Sequence, residues 1–181
     1  MTIEPEVWLR GPVDGVPAEL LPAAHAFLQT LEDVAHAAAG LTREQLWRGP
    51  GGAPSVGFHL LHLDGSTDRL LTYARGERLS ADQKAALAAE QAPSSLDAAS
   101  LIAKLRVRIE AAVAALREVP VATIYDGRTV GRAALPTTVI GLLFHAAEHS
   151  QRHAGQVVTT AKIVRGLADP DGRPPRVEGG A

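Results

Sequence analysis

The chain has 181 residues, of which 46% are hydrophobic and 21% are charged, and its formal net charge is −2 at pH 7. This length and composition predict one globular domain and exclude a disordered chain, while the charge balance argues against a nucleic-acid partner. The sequence has no apolar run long enough for a membrane span and no basic-then-apolar signal at its N-terminus, so we expect a soluble, cytoplasmic protein. Because the chain lacks cysteine, any metal must be bound by nitrogen and oxygen.

The N-terminal part of the chain predicts an irregular arm followed by helices. Residues 1–16 contain several prolines and glycines and are expected to pack as an arm. Helical apolar spacing over residues 17–39 predicts the first long helix, which ends at Gly40. Thr42 and Gln45 have the spacing of a capping box, which predicts a short helical turn.

The middle of the chain predicts two further long helices and a short one between them. Ser55 is suited to cap a helix that runs to Arg75. Ser80 and Gln83 form a second capping-box pattern, typical of a short helix. Alanine, leucine and arginine then dominate residues 96–118, which predict the third long helix.

Residues 119–136 contain β-branched side chains around Asp126-Gly127, which suggests either a small hairpin turning there or a structured loop. Thr137 or Thr138 is suited to cap a fourth long helix, which ends at Gly166. The whole pattern predicts an all-α fold: an antiparallel four-helix bundle over residues 17–166, with short extra helices, preceded by the arm and followed by a flexible tail at 167–181.

Three histidines lie four residues apart on the predicted fourth helix: His145, His149 and His153. At about 100° per residue they share one face, and imidazoles at this spacing can reach one metal ion. The same face carries further residues that indicate a core-facing stripe, namely Leu142, Ala146, Gln156, Val157 and Thr160.

The second long helix carries a matching polar stripe. Arg69 and Tyr73 lie within about 20° of His62, and His59 lies about 60° away, while leucines occupy the other sides. A polar stripe on a buried helix must find partners in the interior, and a metal ion or a solvated pocket would supply them. The alternative is ordinary: most lone histidines are packed or exposed residues, as we expect for His25 and His36 on the first helix.

The stretches "HLLHLDGSTDRLLTYARGE" (residues 59–77) and "GLLFHAAEHSQRHAGQV" (residues 141–157) resemble the DinB-like superfamily, which includes metal-dependent enzymes and bacterial thiol S-transferases. The resemblance implies a homodimeric four-helix bundle that binds a divalent metal, zinc or nickel, through His62, His149 and His153. Gly155 and Gln156 match the G-Q pair of the family, where the glycine lets a neighbouring helix approach and the glutamine bonds near the site.

Two classes of function follow. The first is a metal-dependent enzyme, either an S-transferase that uses a low-molecular-weight thiol or a hydrolase, acting on a small molecule. In that interpretation Arg69 pairs with an acidic group of the ligand, unless it forms an ion pair within the protein, and Tyr73 or His59 moves a proton; His145 and Gln156 are further candidates for contact with substrate. The second is a non-catalytic metal-binding protein of stress response or structural type.

Overall fold

The computed structural model describes residues 5–167, and the predicted tail therefore lies almost entirely outside the described residues. The described part is mostly helical, as predicted, with one small sheet, and no helix in it is long and apolar enough to cross a membrane. Its helices are α1 (Leu21–Ala38), α2 (Arg43–Trp47), α3 (Val56–Ala74), α4 (Ala81–Ala89), α5 (Ala98–Glu118) and α6 (Val139–Gly166), and its strands are β1 (Gly127–Val130) and β2 (Leu135–Thr138).

The helix starts follow the local capping chemistry of the sequence. Both predicted capping boxes form: the Thr42 and Ser80 hydroxyls accept from the backbone N–H three residues on, and the glutamine at that position accepts from the cap residue's own N–H. Ser55 caps α3 by accepting from the backbone N–H of Phe58. Each such cap satisfies donors that the first helical turn leaves unpaired, which stabilises the helix by about 1 kcal/mol.

The four long helices contact one another around a common core. Helices α1 and α3 each pack against both α5 and α6. The core between them is built from fully buried apolar side chains such as Phe27, Leu60 and Ile109, each of which contributes about 2 kcal/mol by leaving water. The contact between α3 and α6 brings together the two helices that carry the predicted metal ligands.

A hairpin precedes α6, but its turn is not where the sequence suggested. Strands β1 and β2 pair antiparallel, with Gly127 opposite Thr138 and Val130 opposite Leu135, so the turn is formed by residues 131–134. The prediction of a turn at Asp126-Gly127 is wrong, because the Asp126 carbonyl accepts from the first backbone N–H of α6 and Gly127 begins β1.

Candidate metal centre

Three histidines from two helices converge on one point. His62 lies on α3, and His149 and His153 lie on α6; their ligand nitrogens all lie within 4.8 Å of one another. The Nε2 atoms of His62 and His149 are 2.9 Å apart. Two nitrogens that bind one ion at about 2.1 Å lie about 3.0 Å apart for a right angle at the ion and about 3.4 Å apart for a tetrahedral angle. The separation of His62 and His149 therefore fits two ligands of one divalent ion, and His153 lies close enough to be the third candidate.

The cluster lies at the border between the core and the surface. Taking His149 as the reference on α6, the buried side chains of Leu142, Ala146 and Val157 lie on one side of it by about 20° to 80°. On the other side, at about −20° to −40°, Gln156 and His145 are exposed. The prediction that the whole stripe faces the core is therefore wrong for these two residues. The histidine cluster has buried apolar side chains on one side and solvent on the other.

A buried carboxylate, which no sequence pattern indicated, contacts the ring nitrogen of His62 that does not face His149. Glu90 directly follows α4, its side chain is 5% exposed, and its Oε2 lies 2.7 Å from Nδ1 of His62. Arg69 donates to the other oxygen at 2.6 Å. Burial raises the pKa of Glu90, but hydrogen bonds from His62 and Arg69 outweigh it, so the pKa is lowered and the carboxylate is ionised at neutral pH.

A fourth histidine contacts the cluster from the core side. His59 is 2% exposed, and its Nδ1 lies 2.9 Å from Nδ1 of His153, so a single proton is shared between these two atoms. Phe58 stacks on the ring of His62, with the ring centroids 5.5 Å apart, and restricts its orientation.

The rings of His59, His149 and His153 are uncharged at neutral pH. Burial, with repulsion from neighbouring histidines, lowers the pKa of His59 and His149 to about 4 and that of His153 to about 3. Neutral imidazole is the form that binds metals, so these rings are ready ligands near pH 7.

Two other predicted site residues, Arg69 and Tyr73, do not join the histidine cluster. Arg69 forms an ion pair with Glu90 within the protein, so its guanidinium is not left free to pair with an acidic ligand. Tyr73 lies eleven residues after His62 on α3, about 16 Å along the helix axis. Its predicted role in proton transfer is therefore not supported: the angular match was correct, but the axial distance is too large.

His145 remains beside the cluster on its exposed side. Its ring centroid lies 5.5 Å from that of His149, and its Nδ1 lies 3.5 Å from Oε2 of Glu148. Gly155 does not admit a neighbouring helix within the described chain, because a Cβ built there meets no atom of another element within 4 Å.

The histidines expected to be ordinary are found away from the cluster. His25 contacts the carbonyl oxygen of Gly11 at 2.9 Å, and His36 is exposed on α1. Of the candidate ligands, only those on the α3 and α6 stripes come together.

One of two comparisons with known proteins identifies the family of this chain. A search of the curated proteins finds no match to this chain. A scan against protein-family models matches the DinB superfamily over residues 26–157. The match covers well over half of the chain and includes His62, His149 and His153, and the chain therefore belongs to the DinB superfamily.

Proposed function

We propose that this protein binds one divalent metal ion, zinc or nickel, through His62, His149 and His153, and acts as a metal-dependent enzyme on a small molecule. The observation that carries the proposal is the convergence of three imidazoles from two helices at the border of the core. Sites with three protein ligands and an open position are typical of catalytic metals, whereas structural sites use four protein ligands.

The surroundings of the cluster support an open position. His59, the nearest further histidine, already shares a proton with His153, and it lies outside the group of mutually close nitrogens found in residues 5–167. The His62 side chain is 20% exposed, so the cluster meets solvent on the side of His145. A small molecule is therefore expected to approach from that side.

The reaction class follows from the donor set and the composition. A divalent ion held there supplies a Lewis acid that lowers the pKa of a thiol or a water molecule at the open position. Because the chain has no cysteine, a thiol nucleophile must be a separate low-molecular-weight molecule. We therefore favour an S-transferase or a hydrolase, with the exposed imidazole of His145 accepting or returning the proton.

The alternative is a non-catalytic metal-binding protein of stress-response or structural type. It is favoured by the extensive apolar core, which includes the fully buried Leu105 and Ile109 of α5, a helix that carries no histidine. We expect a core of this kind to form without metal. The two proposals differ in whether an added thiol reaches the metal.

We also propose how the four long helices are arranged and that the protein forms a dimer. The reciprocal packing of α1, α3, α5 and α6 supports an antiparallel four-helix bundle over residues 17–166. A homodimer is expected from the family alone, and no nucleic-acid partner is expected.

The first experiment measures metal content by mass spectrometry on untagged protein, for the natural chain and for His62→Ala and His149→Ala. We expect about one equivalent of metal in the natural chain and little in either variant. His36→Ala is the matched control, because that histidine is exposed on α1 and should leave the metal content unchanged. Natural protein that stays metal-free after incubation with zinc and nickel would overturn the proposal.

A second measurement separates the enzyme from the non-catalytic alternative. The protein is loaded with cobalt(II), whose visible spectrum reports ligand type and number, and a small thiol is added. A new sulfur-to-cobalt absorption supports an open position and justifies testing thiols against electrophiles. An unchanged spectrum favours a closed, non-catalytic site.

A further inference from the structure

Glu90 is buried although the helix that precedes it is not. No residue of α4, which the structure describes in full, is buried, yet the Glu90 side chain that follows it is only 5% exposed. Burying a carboxylate is unfavourable unless both oxygens are satisfied. Here each oxygen has one charged or polar partner, Arg69 at 2.6 Å and His62 at 2.7 Å.

Gly65 of α3 leaves room for the ion pair between Glu90 and Arg69. A Cβ on Gly65 would collide with Oε1 of Glu90 and would lie 2.6 Å from Nη1 of Arg69. The missing side chain therefore lets the carboxylate and the guanidinium meet against the helix backbone.

An ionised carboxylate accepts hydrogen bonds and donates none. His62 must therefore present Nδ1–H to Oε2 of Glu90, and its other ring nitrogen, Nε2, faces Nε2 of His149 at 2.9 Å. Such an outer carboxylate selects the tautomer of a metal-binding histidine and fixes the plane of its ring.

We propose that Glu90 and Arg69 are positioning residues for the metal centre: Glu90 fixes His62 in the Nδ1–H tautomer, and Arg69 acts through Glu90 by holding its second oxygen. This inference rests on the proposed function, because it takes His62 to be a metal ligand. It reassigns Arg69 from contact with substrate to support of a ligand.

The test measures zinc affinity by competition with a chromophoric chelator. Glu90→Ala is expected to weaken zinc binding 10- to 100-fold, a size typical of an outer-shell partner. Glu90→Gln keeps an acceptor for Nδ1 and should lose less. Arg69→Met should weaken binding, yet the double variant Glu90→Ala/Arg69→Met should bind no more weakly than Glu90→Ala alone, because Arg69 acts through Glu90.

Asp64→Asn is the matched control for simple loss of ion pairs to a buried carboxylate of α3. Asp64 also lies on α3 and pairs with Lys104 at 2.8 Å and Arg108 at 3.1 Å. This variant should lose stability and keep its zinc affinity. Circular dichroism confirms that every variant is folded before its affinity is compared.

Nitrogen NMR of His62 in the metal-free protein supplies a readout that does not depend on metal. The natural chain should show a protonated Nδ1, and Glu90→Ala should show a mixture of tautomers. If the natural chain binds no zinc, the proposed function fails, while the tautomer still tests the positioning role. Unchanged tautomer, or unchanged zinc affinity in Glu90→Ala while His62→Ala loses it, would overturn the inference.

Discussion

Helix α3 carries two polar networks that look alike in sequence and differ in chemistry. On one side, Asp64 meets cations of α5, with Lys104 at 2.8 Å and Arg108 at 3.1 Å, so negative and positive groups balance. On the other side, His62 meets His149 nitrogen to nitrogen at 2.9 Å. Either one proton or one metal ion can lie between these two nitrogens. The difference teaches that a polar stripe on a buried helix indicates a metal site where it gathers several imidazole nitrogens, and not where opposite charges already pair with one another.

The largest effect expected from this contrast is stabilisation by zinc. At a free zinc concentration about 1,000 times Kd, the free energy of unfolding should rise by about 4 kcal/mol, because only the native chain holds the three rings together. His149→Ala should abolish the increase. Urea unfolding with and without zinc, at fixed pH, measures both values.

The ion pairs of Asp64 with Lys104 and Arg108 supply the control for that experiment. Asp64→Asn should lower the free energy of unfolding by about 1 to 3 kcal/mol, since a buried carboxylate that accepts from two cations is replaced by a weaker, uncharged acceptor. The increase produced by zinc should remain. Loss of the zinc effect in Asp64→Asn, or its survival in His149→Ala, would contradict the division of α3 into a balanced network and a ligand site.

The second effect expected is a pH dependence confined to the histidine side. The pKa values of His59 and His149 are about 4 and that of His153 is about 3, all below the usual 6.5. As the pH falls through about 6.5, these rings take up protons in the unfolded chain but not in the native one, so the metal-free protein should lose stability from about pH 7 to pH 4.

Denaturant unfolding of the metal-free protein at several pH values measures this loss. His153→Gln should show a shallower decline between pH 6.5 and 4.5, because one of the titrating rings is absent. Equal slopes for the two proteins would contradict the assignment of neutral, buried rings. Glu90, whose pKa is also lowered, contributes a loss mainly below about pH 4.5, at the acid end of the range.

The parts of the fold that the sequence predicted are those determined by neighbours along the chain. Capping by Thr42, Ser55 and Ser80 depends on residues three positions away, and all three caps form. The hairpin turn was misplaced because Asp126 bonds to the start of α6, thirteen residues later, and this contact has no local signature.

The site shows the same contrast between features set by neighbours along the chain and contacts between distant residues. His149 and His153 were predicted from their spacing on one helix, and His62 from its stripe and the family resemblance; the structure brings the three together. Tyr73 matched in angle, but a helical wheel omits the rise along the axis. Glu90 was missed because its contact with His62 joins residues 28 apart across a turn, and no spacing rule connects them.

The smallest predicted effect compares two helical glycines, one beside the cluster and one on the open face of α6. Gly155→Ala should stabilise the protein by about 0.5 to 1 kcal/mol, because alanine favours helix and a Cβ there meets no atom of another described element within 4 Å. Gly65→Ala gains the same helix propensity but displaces the Glu90–Arg69 pair, so it should be destabilising by about 1 kcal/mol and should weaken zinc binding.

Urea unfolding and zinc titration of the two variants decide the comparison. If Gly155→Ala proved destabilising instead, something outside the described chain would lie against that face of α6. Sedimentation would then show whether the contact is a second copy, because a dimer that packs through Gly155 should dissociate in this variant while Gly65→Ala leaves it intact. A stabilised Gly155→Ala would instead place any homodimer contact on another face.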